Sequence, residues 1–262
     1  MNSFPRRNRA RRPRKGRWVL LTIAIAAVAG LGFFSVSQTP SDLSGSLTNT
    51  APPADPPYAS DPAPAPASSP ATEPTTTQEQ LAQLAVKGRA PKNDYDREQF
   101  GQRWSDDVDV ELGHDGCDTR NNILARDLNE VVYKLGTNDC VVAYGTFVDP
   151  FSGQEITFSR GQDTSRLVQI DHLVALADAW QKGAQQWDET TRRNFANDPR
   201  NLLAVDGRAN QSKGASDAAT WLPPNKAFRC EYATRIIDVK FNYGLWVTEA
   251  ERAALYRQLE TC

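Results

Sequence analysis

Histidine is scarce in this chain: of 262 residues only His114 and His172 carry imidazole. Proton transfer by imidazole near neutral pH therefore rests on one or other of these two. Cysteine is scarce as well. Cys117, Cys140, Cys230 and Cys262 are the only 4, and no Cys-x-x-Cys spacing offers zinc its usual thiolate pair. Long apolar runs are missing apart from one, at 18–36. A basic excess is missing too, once the first residues are set aside. Of 30 Lys+Arg eight lie in the leader, which leaves 22 against 32 Asp+Glu. A protein that coats nucleic acid is basic, so the acidic remainder would meet a polyanion only briefly and through a local patch.

What is present divides the chain. Residues 1–17 form a basic leader, with Arg6, Arg7, Arg9, Arg11, Arg12, Arg14, Lys15 and Arg17 ahead of the uncharged run 18–36. Basic residues stay cytoplasmic, so the rest is expected outside the cell. The run is close to the roughly 20 residues that span a bilayer, and Ser35 and Ser37 also permit cleavage after Ser37. A cleaved signal peptide and a retained transmembrane anchor both stand. No cysteine follows the run, which argues against a lipoprotein. Residues 37–80 are rich in Pro, Ala, Ser and Thr and bury too little apolar surface to offset ordering entropy, so they read as a disordered spacer. Residues 81–262 leave room for one domain.

All four cysteines lie in that domain. An even count outside the cytoplasm implies two disulfides; three connectivities are open, and Cys117 with Cys140 and Cys230 with Cys262 is preferred because each pair brackets a local unit. The coarse order of elements is helix at 78–87, acidic loop, helix from Asp118 to about Glu130, and a hairpin of 141–148 with 155–158. Then come a strand ending near His172, helices over 175–187 and 189–197, a strand at 201–205, a short helix, a helix at 228–241 and a last helix with a Thr248/Glu251 capping box. This is an α+β arrangement. The acidic loop, with Asp106, Asp107, Asp109, Glu111, Asp115 and Asp118, fails the EF-hand pattern because Leu112 stands where the turn glycine belongs. It reads as solvated, with His114 an exposed loop residue. Trp180 and Trp187, at helical spacing, read as core.

The most informative stretch is 167–214. An apolar strand ends on Asp171-His172, and a second apolar run, Asn201-Leu202-Leu203-Ala204-Val205, breaks at Asp206-Gly207 before Asn210 and Lys213, one helical turn apart. A histidine moves protons and a neighbouring carboxylate holds a hard cation, so the pair is a plausible start for metal-assisted hydrolysis. Taken with Phe195-Ala196-Asn197-Asp198-Pro199-Arg200 and Asn210-Gln211-Ser212-Lys213, the pattern resembles the HNH endonuclease family. The group is the one typified by the C-terminal nuclease domain of GmrSD restriction enzymes, in the version found as secreted actinobacterial proteins. Gly116-Cys117-Asp118-Thr119-Arg120-Asn121 and Trp221-Leu222-Pro223-Pro224-Asn225 extend the likeness.

The resemblance implies a ββα-metal core, embellished by several helices and an additional β-hairpin, and a metal-dependent endonuclease with nucleic acid as substrate, DNA ahead of RNA. On it His172 is the general base and Asn201 orients the loop that carries His172. Asp171 and the side-chain oxygen of Asn210 hold one divalent ion, and Lys213 and Arg120 meet phosphate. Many relatives have histidine where Asn210 stands; an all-oxygen set favours magnesium or manganese over zinc. Activity is expected to fall at acid pH as His172 protonates. Adjacent side chains on a strand face opposite ways, so Asp171 and His172 can share a site only where the strand ends or bulges. Membrane contact would come through 18–36 if that run is retained, and no protein partner is indicated. Two other classes stand beside the nuclease: a non-catalytic envelope protein on the same scaffold, and a cell-wall hydrolase. The last would need an acid and base across a glycan, and spacing identifies no such pair.

Overall fold

The computed structural model describes residues 76–162 and 164–262. The expected leader, the apolar run 18–36 and all but the end of the spacer lie outside the described residues. Among the described residues no helix is long and apolar enough to cross a membrane.

The fold is α+β. Helix α1 (Thr77–Gln83) opens it, with Thr76 and Glu79 closing a reciprocal capping box. It is shorter than the helix expected over 78–87, because the chain turns extended and Val86 bridges to Val247. Helix α2 (Thr119–Asp127) starts on Asp118, whose carboxylate accepts the Asn121 N–H. A helix to Glu130 was the expectation, but β1 (Asn129–Tyr133) begins there instead, where Val131, Val132 and Tyr133 favour a strand. Strands β2 (Val142–Val148) and β3 (Glu155–Ser159) form the expected hairpin, and β1 joins it in the antiparallel order β1-β2-β3.

Strands β4 (Val168–His172) and β5 (Leu202–Asp206) form a separate antiparallel pair. Between them run α3 (Leu176–Gln181) and α4 (Glu189–Asn197). The single helix expected over 175–187 breaks at Gly183, where φ is +133°. After β5 comes α5 (Gly207–Lys213), then α6 (Arg229–Asn242) and α7 (Glu249–Leu259).

The β4–β5 pair lies between two apolar cores, and its alternation explains why. Leu202 and Ala204 join Val168 and Ile170 in a core with α2 and the three-stranded sheet. Leu203 and Val205 face the other way, into a core built with the helices. Each fully buried Leu or Val of this kind contributes about 1.5–3 kcal/mol. The pair is therefore clamped from both sides, and it carries the site residues at its end. Two disulfides, Cys117–Cys140 and Cys230–Cys262, brace the segment before α2 and the α6–α7 unit. The preferred pairing is the observed one.

Candidate active site

His172 is the last residue of β4, paired across the ladder with Leu202. Asp171 pairs with Leu203, and no bulge interrupts the register. The strand simply ends, and both side chains reach one cavity at that end, of about 290 Å³. His172 is nearly buried, and its Nε2 lies 2.8 Å from the carbonyl oxygen of Ala196. A carbonyl oxygen only accepts, so Nε2 carries the proton and Nδ1 keeps a lone pair. Burial brings the pKa of His172 down to about 3; the Ala196 carbonyl opposes this, while Arg97, Lys213 and Arg103 add to it. The ring is neutral through the neutral and mildly acid range, a free base with a fixed tautomer.

Asn201 is fully buried and spans the loop after His172. Its Oδ1 accepts the Val174 N–H at 2.8 Å, its Nδ2 donates to the Val174 carbonyl at 3.3 Å, and its own carbonyl accepts the Leu173 N–H at 2.8 Å. Three bonds from one residue fix the chain as it leaves the histidine.

Asp171 is buried 3.0 Å from the ammonium of Lys213, on both carboxylate oxygens. Only Oδ1 is aligned to accept a hydrogen bond, and Oδ2 has none. Burial raises the pKa of Asp171, with Lys213 pulling the other way. Lys213 departs from the expectation of a phosphate contact. Its side chain has no exposure, and it also donates to the His172 carbonyl at 2.7 Å. The turn of α5 that sets it one turn after Asn210 points it under the β4 end, so it holds Asp171 in place.

Asn210 lines the same cavity as Asp171 and His172. Its amide nitrogen donates to Gln169 Oε1 at 2.9 Å, and its oxygen takes no part in that bond. A carboxylate oxygen that accepts no aligned hydrogen bond and an amide oxygen beside one cavity suit a hard cation. Among the described residues no three His, Cys, Asp or Glu side chains gather to hold a metal by themselves. An ion here would take the rest of its coordination from water and phosphate oxygens.

The groove around these residues is basic. A second cavity of about 440 Å³ adjoins the first through Arg97 and Asn210 and is lined by Arg120, Arg103 and Arg166. Arg120 donates to the Val168 carbonyl at 3.2 Å, and burial with Arg160 nearby lowers its pKa. Arg97, Arg103 and Trp104 escaped the sequence reading. The Trp104 indole lies nearly parallel to the His172 ring, at 12° and 5.9 Å between centroids. An Arg-Trp pair some way upstream of the motif was the one available signal.

The acidic loop turns several of its carboxylates on itself, while Asp107 pairs with Arg193 of α4 at 3.3 Å. Asp106 accepts the N–H groups of Asp115 and Gly116, Asp115 accepts that of Cys117, and His114 sits exposed 3.5 Å from Asp109. Trp180 is buried in the helical core and Trp187 packs against it. Arg126 pairs with Asp127 and with the carbonyls of Pro199 and Leu202. Thr248 caps α7, but Glu251 does not complete a capping box. Its carboxylate is buried between Lys182 and Lys240.

The family described as GmrSD restriction endonucleases, C-terminal domain, matches residues 118–258. A protein of Arthroderma benhamiae described as an uncharacterized secreted protein is 35% identical over 194 residues, covering 71% of this chain and 85% of that protein. No solved structure matches. The match takes in β4, β5 and α5 with every residue of the cavity that holds Asp171, His172 and Asn210 except Tyr95 and Arg97. The chain belongs to the family of GmrSD restriction endonuclease C-terminal domains.

Proposed function

We propose that this chain is a metal-dependent endonuclease working outside the cell on a ββα-metal core, with β4, β5 and α5 as its two strands and helix. One observation carries the reading: Asp171, His172 and Asn210 line a single cavity, and the histidine in it is neutral, with Nδ1 as its free base. Phosphodiesters resist hydrolysis because water is a weak nucleophile, the phosphate is anionic and the alkoxide leaves poorly. His172 Nδ1 takes the proton of the attacking water, whose oxygen forms the new bond to phosphorus while the bond to the departing oxygen breaks. Asn201 keeps the base in position, and Lys213 does the same for Asp171. Asp171 and Asn210 would hold a magnesium or manganese ion, which supplies positive charge to the phosphate oxygens when bound. Arg120 would steady the substrate backbone. The two disulfides and the secreted relative support an extracellular address, with 18–36 as signal or anchor.

The test is cleavage of plasmid DNA and of RNA by the full, oxidised chain with magnesium, manganese, calcium or EDTA. DNA cutting with magnesium or manganese, abolished by EDTA and restored by excess ion, is the expected result. Cutting that persists in EDTA contradicts the ion, and absence of cutting under every condition contradicts the nuclease.

A further inference from the structure

Arg97, Arg103 and Trp104 precede the span that matches the family, yet they wall the site. They belong to a segment that runs through the short 3-10 turn Arg97–Phe100 and is tied to the start of α2. The Thr119 N–H donates to the Trp104 carbonyl at 3.3 Å, and the buried Thr119 hydroxyl donates to the Ser105 carbonyl at 2.8 Å. Trp104 is held at φ +58°, left-handed backbone that a bulky side chain rarely adopts. Such strain collects where surroundings fix a residue for use.

With His172, these residues enclose a cavity of about 420 Å³ whose floor is Phe100, Leu176 and Ala196. The floor is apolar and the rim is charged. Arg97 and Arg103 stand on that rim, and partial burial followed by the nearby charge of Arg103 lowers the pKa of Arg97. Asp96 and Glu98 line the cavity as well, but among the described residues no ion pair joins either of them to the two arginines. Two guanidinium groups close enough to repel each other, neither held in an ion pair among the described residues, are favourable ground for an anion. Centroids 5.9 Å apart in nearly parallel rings mean that the imidazole covers the indole only in part. The remaining indole surface borders the cavity.

An apolar, aromatic-walled hollow with two exposed arginines on its charged rim matches a planar ring on an anionic tether. We infer that this cavity receives one unpaired base of the strand being cut, its face on Trp104 and its adjoining phosphate on Arg97 and Arg103. The substrate class is therefore nucleic acid with unpaired or extruded bases. In a duplex each base face is covered by its neighbours, and reaching this hollow requires unstacking. A reader of intact duplex needs a basic surface for phosphates and has no use for an apolar pocket beside the general base. The inference rests on the nuclease reading for its strand, though not for its binding test.

The test is anisotropy of a labelled single-stranded oligonucleotide and of the same sequence as a duplex, in EDTA so that nothing is cut, with the full chain. The native protein binds the single strand about tenfold tighter than the duplex. Trp104→Ala loses about tenfold on the single strand and little on the duplex, whereas Trp104→Phe keeps most of the affinity. Arg97→Ala with Arg103→Ala weakens both and flattens the dependence on salt. Equal binding of both forms by the native protein, binding of neither, or a folded Trp104→Ala that binds the single strand normally would overturn the subsite. Should Trp104→Ala fail to fold by circular dichroism, the native ratio and Trp104→Phe decide. A protein with these ratios that cuts nothing with any ion would sink the nuclease and leave the subsite. Cutting that needs His172 and ignores strandedness would do the reverse.

Discussion

Asn201 gives the clearest case of one side chain setting the geometry of another. Both ends of its amide bond the Val174 backbone, and its carbonyl takes the Leu173 N–H, in a fully buried place. Asn201→Ala leaves a buried N–H and C=O without partners, at about 1–3 kcal/mol of stability. It also frees the chain after His172, and misplacement of a base by about 1 Å is worth about a hundredfold in rate. Denaturant unfolding beside initial-rate assays separates the two effects, and a variant as active as the native protein would remove the positioning role. At this scale the sequence was legible where chemistry is local. Asp171 and His172 are read from residue type and order, Asn210 as a ligand through the family resemblance, and all three line one cavity. The role of Lys213 was not legible, since its spacing from Asn210 says which turn it occupies and nothing of the carboxylate it meets across β4. Arg97, Arg103 and Trp104 were missed for the same reason, being brought to His172 by tertiary packing.

The element that matters most is the β4–β5 pair with α5 laid against it. Asp206 caps α5 by accepting the Arg208 and Ala209 N–H groups, and Gly207 lets the helix start hard against β4. The Gly207 N–H donates to the Leu167 carbonyl at 2.8 Å, and a Cβ there would come within 2.3 Å of the Arg166 carbonyl. Because that neighbour is backbone, Gly207→Ala must push α5 away and carry Asn210 and Lys213 with it. The expected outcome is a folded protein destabilised by about 1–3 kcal/mol with raised demand for the ion, measured as the concentration of magnesium or manganese needed for half-maximal cutting. An unchanged requirement would mean that α5 does not set the ion site. Elements were legible wherever hydrophobic period and caps agreed, as in β2, β3, α4 and α6. β1 was missed because helix signals upstream of Leu128 masked the strand formers that follow. Glu251 was misread because a capping box and a buried ion pair call for the same residue, and only the fold brings Lys182 and Lys240 beside it.

Across the described residues, a set of three cations and three anions, all buried except Arg89, ties distant segments together. Lys182 lies 2.7 Å from Asp178, 2.8 Å from Asp217 and 2.6 Å from Glu251. Lys240 reaches Asp178 at 3.2 Å and Glu251 at 2.8 Å, and Arg89 reaches Asp178 and Asp217 at 2.7 Å. The segment after α1, the α3 end, the chain after α5, α6 and α7 all meet there. Removal of one partner strands a buried charge, so Lys240→Met costs about 3–5 kcal/mol. Burial raises the pKa of Asp178, but Lys240, Lys182 and Arg89 outweigh it and bring the value to about 2, below the ordinary 3.8. A folded pKa below the unfolded one means stability that is full above about pH 4 and lost as pH falls toward 2. Melting temperature against pH checks the sign, and a molecule equally stable at pH 2 and pH 5 would contradict the network.

The central claim is that His172 is the base of a nuclease whose scaffold does not depend on it. Plasmid cleavage by His172→Ala, beside the native chain in magnesium or manganese and with circular dichroism on both, tests it most directly. A loss of about 10²-fold or more, with the spectrum unchanged, is the predicted result. A folded His172→Ala protein that cuts at the native rate would contradict it.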